Sequence, residues 1–327
     1  MEKLAVEQLG VQTAYPALEA EMPLLEEQLR DILQPAMGEL LKEVGGYLLT
    51  PGKRLRPALV LLSSLAAGGE GGQKLTPLGA AVELLHMATL IHDDIIDGAG
   101  TRRGRPSINS RYGSHIAVLM GDYCYGKSME LVAGYGDEYV SVMVEVINRL
   151  VAGELLQYES VREPYRALDN YWERINKKTA FFFSACCRLG AMHAGASPAV
   201  REILNRFGEC LGMAFQIRDD LMDFVGDSAC LGKEVGSDFR NGIMTLPLIH
   251  AVNFSRDSKL AQALLEQDGH IDYQTVMLIL KETGALDFTR DACRHYLNLA
   301  LQSLEMLPPS KARENLWQLA AQLGQGL

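Results

Sequence analysis

The sequence predicts an all-α protein. Three observations carry that expectation. Apolar residues recur at helical spacing through the long segments. No stretch of useful length alternates apolar and polar residues as a half-buried strand does. Threonine-proline and serine-proline pairs, Thr76-Pro77 and Ser197-Pro198, stand where helices should begin. The chain has 327 residues, 48% of them apolar, enough for a large buried core. No linker interrupts the pattern, so one domain over residues 1–327 is expected.

Composition narrows the classes. A formal net charge of −10 argues against nucleic acid as a partner. The six cysteines (Cys124, Cys186, Cys187, Cys210, Cys230, Cys293) form no C-x-x-C pair, and most fall in apolar helical patterns, as buried reduced thiols do. Met1 to Gln12 is acidic, without the apolar core of a signal peptide, and no run of about 18 apolar residues marks a membrane span. A cytoplasmic protein is expected.

Taken in order, residues 23 to 49 place Leu25, Leu29, Ile32, Leu33, Met37 and Leu40 at helical spacing and predict one helix ending near Pro51-Gly52. Gly52-Lys53-Arg54-Leu55-Arg56-Pro57 follows, three cations in four residues at the entrance of an apolar helix, Ala58 to Ala67. Glycine permits close approach and helix N–H groups add partial positive charge, so the string suits a diphosphate, though it would also serve as an exposed basic turn. Gly68 to Gly72 is a loop. With Thr76 as N-cap, a helix runs to Asp93, carrying His86 two turns before Asp94. Gly98 to Arg105 reads as a loop, 107–111 as a short helical stretch, and 117–133 and 139–158 as helices. A polar link at 162–169 leads to a helix with Lys177-Lys178-Thr179-Ala180, and Ser197-Pro198 opens the helix that carries Phe215-Gln216. Residues 248–327 show amphipathic patterns broken near Ser255, Gly269, Gly284 and Pro308-Pro309, with no further chemistry.

The chemistry concentrates in two acidic strings. In Leu90-Ile91-His92-Asp93-Asp94-Ile95-Ile96-Asp97, Asp93 and Asp97 fall one helical turn apart on one face, with Asp94 rotated about 100° from Asp93. Like charges this close repel unless a cation sits among them, and a hard divalent ion such as Mg2+ binds through carboxylates and substrate phosphates. Alone, the string is as readily a solvated helix end. Asp219-Asp220-Leu221-Met222-Asp223 repeats the D-D-x-x-D spacing, again on an apolar helix, which suggests two parts of one metal site.

From about Gly52 to Pro247 these motifs, in this order, resemble the trans-polyprenyl diphosphate synthases. The resemblance implies a single large helical bundle of the isoprenoid synthase type with a central cavity. It implies an Mg2+-dependent enzyme that joins isopentenyl diphosphate to an allylic diphosphate such as farnesyl diphosphate. The metal ligands it implies are Asp93, Asp94, Asp97, Asp219, Asp220 and Asp223. Lys53, Arg56, His86 and Arg103 then hold isopentenyl diphosphate, with Arg54 a weaker candidate, and Phe215 and Gln216 line that pocket. Arg102, Lys178 and Lys233 hold the allylic diphosphate, with Thr179 near the forming cation and Gln157 near the diphosphate. One departure stands out: many members have a second lysine where this chain has Ile243, in Gly242-Ile243-Met244-Thr245-Leu246-Pro247. Catalytic subunits of two-component heptaprenyl synthases also tend to lack it. A homodimer is implied, with a heteromer containing a small regulatory subunit as the alternative. Terpene cyclases share the acidic motifs but do not need the Lys53–Arg56 site. A non-catalytic partner subunit should have lost motif aspartates, and both triplets are complete.

Product length is read from the helix before Asp93. One turn rises about 5.4 Å, close to one isoprene unit. Short-chain members typically carry a bulky aromatic near Ala88 or Thr89. Here Ala88, Thr89 and Leu85 leave the wall open, and the helix from Pro77 to Asp93 gives a product of about C30 to C40, of the kind used for quinone side chains.

Overall fold

The computed structural model describes residues 15–34, 38–49, 54–102, 104–162, 167–226, 236–240, 242–254 and 273–327. Its helices are α1 (Glu21–Leu33), α2 (Glu39–Leu48), α3 (Leu55–Ala66), α4 (Thr76–Ile96), α5 (Ile108–Tyr112), α6 (Ser114–Ala133), α7 (Asp137–Arg162), α8 (Ala167–Ile175), α9 (Phe181–His193), α10 (Pro198–Val225), α11 (Ser237–Arg240), α12 (Leu246–Phe254), α13 (Tyr273–Glu282), α14 (Ala285–Glu305) and α15 (Lys311–Leu323). A π-helical turn, Asn176–Ala180, separates α8 from α9. The only sheet among the described residues is a two-stranded hairpin, β1 (Thr101–Arg102) against β2 (Arg105–Pro106), antiparallel, with Arg102 opposite Arg105. Among these residues no helix is long and apolar enough to cross a membrane.

Contacts divide the chain into two compact units. One comprises Met1–Glu145, Ala185–Asn205 and Ser303–Gln318, the other Val146–Ser184, Arg206–Gln302 and Leu319–Leu327. In the first, α4 is the central element and packs against α1, α3 and α6. Every residue from Leu78 to Leu85 is buried, and apart from Glu83 the stretch is apolar or small on all sides. Small residues on α6 allow the close approach: a Cβ on Gly121 would fall 2.1 Å from His92 Nε2, and Ser128 donates its hydroxyl to the Ala81 carbonyl at 2.7 Å. In the second unit α12 packs against α8 and α13. Tyr171, Phe182, Phe183 and Phe207 are fully buried. The five described cysteines, Cys124, Cys186, Cys187, Cys210 and Cys293, are free thiols and buried. Cys230, Ser255 and Gly269 lie outside the described residues.

Several expectations are sharpened. The one helix expected over 23–49 is two, α1 and α2. Gln34 leaves the helical region at φ −119° and ψ 53°, as a residue before proline does, and Gly38 takes φ 76° ahead of α2. α3 starts at Leu55, because Pro57 in the first turn gives up an N–H that has no helical partner there. Thr76 is not an N-cap: the helix already includes it, and its hydroxyl donates to the Gly72 carbonyl at 3.0 Å. Ser197 does cap, its Oγ accepting from the Val200 N–H at 3.4 Å. The loop expected at 98–105 carries most of the hairpin, which ends at Pro106, and Gly284 at φ 66° breaks the chain between α13 and α14 as expected.

Helix contact at backbone distance sets one stability test. A Cβ on Gly190 of α9 would lie 2.2 Å from the Val60 carbonyl oxygen and 2.9 Å from the Ser64 nitrogen of α3. Gly190→Ala therefore forces α3 and α9 apart and costs about 1–3 kcal/mol of overpacking. A lower urea midpoint at unchanged slope is the expected outcome; an unchanged midpoint would show that the contact yields.

Candidate active site

In the first unit the acidic motif ends α4. Asp93 is half-buried, Asp97 is the exposed C-cap, and Asp94 between them is buried at 4% exposure. Asp94 is held by Arg102, whose Nε and Nη2 both lie 2.7 Å from its Oδ1. Asn109 Nδ2 donates to the Asp94 carbonyl at 3.1 Å, so the hairpin and α5 are both tied to the end of α4. Two residues expected on different ligands, a metal ion and a diphosphate, thus meet in one ion pair.

Beside this motif, α2, α4 and the hairpin enclose a cleft of about 680 Å3, open solvent at its mouth included. Arg54, Glu83, His86, Asp94, Arg102 and Arg105 are among its charged and polar lining residues, and Met87, Leu90 and Ile91 belong to its apolar wall. Arg56 Nη1 lies 3.1 Å from His86 Nε2. The guanidinium always donates, so Nε2 accepts. Arg54 behaves differently: its buried guanidinium pairs with Glu26 and Glu83, and its backbone is left-handed, a conformation costing about 1–2 kcal/mol for a residue with a Cβ. Of the expected chain-length residues, Leu85 and Ala88 are buried and Thr89 is half-buried, its hydroxyl on the His86 carbonyl at 2.8 Å; none of the three lines the cleft.

In the second unit the acidic motif lies near the end of α10. Asp219 is exposed, while Asp220 and Asp223 are buried. Asp220 accepts from the Tyr171 hydroxyl at 2.7 Å and from Gln216 Nε2 at 3.0 Å. Burial pushes its carboxyl up to about 6, against the opposing pull of those two hydrogen bonds and of the Arg174 charge. Asp223 Oδ2 accepts from the Asp238 N–H at 3.1 Å, at the start of α11. Gln216 Oε1 takes the Thr179 hydroxyl at 2.8 Å, so Thr179, Gln216, Asp220 and Tyr171 form one hydrogen-bonded chain.

Lys178 and Thr179 stand on the π-helical turn, a feature that marks functional sites in many helices. Glycines on two neighbouring helices make room for it. A Cβ on Gly153 of α7 would come 3.0 Å from the Lys178 nitrogen, and one on Gly212 of α10 would come 2.5 Å from Ala180 Cα. Lys178 Nζ pairs with Glu154 and lies 3.3 Å from Gln157 Oε1. Phe215 faces Phe183, ring centroids 5.2 Å apart. Ile243, in the place of the second lysine, is half-buried, its N–H on the Asp238 carbonyl at 2.9 Å. Lys53, Arg103 and Lys233 lie outside the described residues.

The sequence reading missed Tyr171, Arg174 and Glu83. Arg174, 5% exposed, donates to the Met244 carbonyl at 2.7 Å and lies over the Tyr171 ring. Nothing local distinguishes a tyrosine and an arginine three residues apart on an amphipathic helix; a buried charge is visible only once its partners are placed.

Among the described residues no three histidines, cysteines or carboxylates converge to hold a metal by themselves. Exposed or half-buried aspartates that each offer hard oxygen donors fit an ion that takes its other ligands from water and a substrate diphosphate. The helical architecture, the repeated acidic motif and the arginine-lined cleft fit the class of enzymes that act on a diphosphate.

The comparisons place it more closely. The polyprenyl synthetase family model matches residues 38–279, and the chain belongs to that family. It is 34% identical over 320 residues to component 2 of the heptaprenyl diphosphate synthase of Geobacillus stearothermophilus, covering 97% of this chain and 99% of that one. It is 32% identical over 320 residues to the octaprenyl diphosphate synthase of Escherichia coli strain K12, covering 96% and 97%. Among solved structures, a polyprenyl synthase from Caulobacter crescentus CB15, complexed with calcium and isoprenyl diphosphate, superposes with a TM-score of 0.87 at 31% identity, covering 95% of this chain and 96% of that one. The fold is the all-α isoprenoid synthase fold, and the enzyme is a prenyltransferase. Condensation of isopentenyl diphosphate with an allylic diphosphate is the reaction of the family.

The Tyr171–Asp220 hydrogen bond is the test of this construction. Tyr171→Phe leaves a buried carboxylate oxygen without its O–H donor and costs about 1.5–3 kcal/mol. The thermal midpoint is expected to fall accordingly; a midpoint equal to the wild type would show that Asp220 is held by Gln216 alone.

Proposed function

We propose that this chain makes a medium- to long-chain product, about C30 to C40 by the helix-length argument, using Mg2+. The observation that supports the metal assignment is the difference in burial within each acidic motif. Asp93 is half-buried and Asp97 and Asp219 are exposed, whereas Asp94, Asp220 and Asp223 are buried. Asp93, Asp97 and Asp219 would then hold Mg2+, with the other three orienting them. Mg2+, when bound, draws charge from the leaving diphosphate.

The chain's own residues do the rest. Lys178, Lys233 and Arg102 share the charge of the departing diphosphate as fixed cations. Lys53, Arg56, His86 and Arg103 hold isopentenyl diphosphate with its double bond toward the allylic carbon. The Thr179 hydroxyl, oriented by Gln216, places its oxygen near the forming cation. The departing diphosphate, itself a base, takes the proton lost after bond formation. Apolar walls keep water from the cation.

The whole chain serves as one synthase domain, a reading supported by the end-to-end match to its relatives. It works in the cytoplasm, where its buried thiols stay reduced. It acts as a homodimer, for which the exposed Val118, Leu119 and Tyr125 of α6 offer an apolar face. The printed name of the Geobacillus relative supports a second reading, in which a partner subunit is required.

One assay separates these readings. The purified chain, given Mg2+, farnesyl diphosphate and labelled isopentenyl diphosphate, is expected to form product unaided; inactivity relieved only by a second protein favours the two-component reading. Asp93→Ala and Asp219→Ala should each lower kcat by about 10²-fold or more with helical content unchanged. Near-normal turnover of either would remove that residue from the metal site. Ala88→Phe should shorten the product to farnesyl or geranylgeranyl diphosphate, read by chromatography after dephosphorylation; unchanged lengths would show that the tail follows another wall.

A further inference from the structure

Among the described residues Arg54 is the one non-glycine with a positive φ, at 44° with ψ 38°. A left-handed residue with a long side chain persists where its surroundings over-determine it, and such positions gather at ligand sites. Here two carboxylates do so. The Arg54 side chain is 3% exposed. It meets Glu26 in a forked contact, Nε to Oε1 at 2.7 Å and Nη2 to Oε2 at 3.3 Å, and Glu83 through Nη1 to Oε1 at 2.8 Å. Glu26 belongs to α1 and Glu83 to α4, so one guanidinium ties the start of α3 to both.

Glu83 stands one turn before His86 on α4, and Arg54 stands two residues before Arg56. The Arg54–Glu83 and Arg56–His86 pairs are therefore successive ties between the start of α3 and one stretch of α4. Arg54, Glu83 and His86 all line the same cleft. We propose that Glu26, Arg54 and Glu83 form a positioning network for the isopentenyl diphosphate site, fixing the left-handed turn at Arg54 and, through it, the place of Arg56 against His86. Arg54, engaged by both glutamates, acts through its neighbours and not on the substrate. The proposal rests on the reading of Arg56 and His86 as ligands of isopentenyl diphosphate.

Charge alone predicts the opposite sign for the test. Two carboxylates on one guanidinium leave a net negative charge beside a site for an anion. Neutralising one of them would improve binding if the network acted only through its field, and would weaken binding if it acts through geometry.

Steady-state kinetics of the full chain with Mg2+, varying each substrate separately, decide between these. Glu83→Gln and Glu26→Gln should each raise the KM for isopentenyl diphosphate about tenfold, the scale of a small misplacement of binding groups. The KM for the allylic substrate should stay unchanged. Glu26, with a side chain 32% exposed, is the milder site, and Glu26→Gln leaves the Arg54–Glu83 pair in place should the deeper variant fail to fold. A lower or unchanged KM for isopentenyl diphosphate in folded Glu26→Gln, or an equal rise for both substrates, overturns the proposal. Arg56→Ala and His86→Ala serve as controls. If neither raises that KM, the site reading fails and the proposal with it. If both do while the glutamine variants do not, only the positioning role falls.

Discussion

Three carboxylates within five residues of a helix repel one another, and the structure around both acidic motifs is arranged to contain that repulsion. The middle aspartate is buried each time, and each time the fold supplies it with donors. The means differ. Asp94 receives a cation, Arg102, from a hairpin that follows it by a few residues. Asp220 receives neutral donors, Tyr171 and Gln216, with Arg174 over the tyrosine ring. The neutral solution offsets desolvation only in part, which is why the Asp220 carboxyl sits near 6. Anchoring the middle aspartate also fixes the helix rotation that leaves Asp93 and Asp219 toward solvent.

Much of this was legible in the sequence because it is periodic or local. Helix α4 announces itself through an apolar run, and the D-D-x-x-D spacing is a statement about one helical face. What was not legible depends on partners distant in sequence. Arg54 and Arg56 look equivalent in Gly52-Lys53-Arg54-Leu55-Arg56, yet one is buried on Glu26 and Glu83, 28 and 29 residues away, and the other meets His86. The π-helical turn at Asn176–Ala180 leaves no mark on the apolar period; its room comes from Gly153 and Gly212 on other helices. The division of residues 23–49 into two helices was hidden because apolar spacing resumes after Gly38 nearly in phase. Strands of two residues are too short for alternation to show.

Packing around α4 bears on how a tail could grow. Leu85 and Ala88 are each 2% exposed, and α6 meets α4 through Gly121 and Ser128. Small residues at such a contact bring backbones close and leave little slack. The apolar wall that already faces open space on α4 is Met87, Leu90 and Ile91. Side-chain size at Ala88 and Thr89 therefore describes what would block a path along α4, and says less about what opens one.

The cations differ in how readily they can serve an incoming diphosphate, and burial ranks them. Lys178 pairs with Glu154 across side chains 29% and 28% exposed. Pairs near the surface are worth about 0–1 kcal/mol, so Lys178 can exchange its carboxylate for a phosphate at small cost. Arg54 and Glu83 are 3% and 7% exposed, and breaking a buried pair costs about 3–5 kcal/mol because a charge is left uncompensated. Arg54 is thus held back from substrate by its surroundings. Arg102 lies between these cases: its own side chain is 37% exposed, but its partner Asp94 is only 5% exposed. Leaving Asp94 would strand a buried carboxylate, so the role proposed for Arg102 at the allylic diphosphate requires it to stay on Asp94 as well. A guanidinium can do both, since it carries five N–H donors and Asp94 engages two of its nitrogens. A lysine in that place would have to choose between the carboxylate geometry and the phosphate, which gives a physical reason for arginine there and lysine at 178.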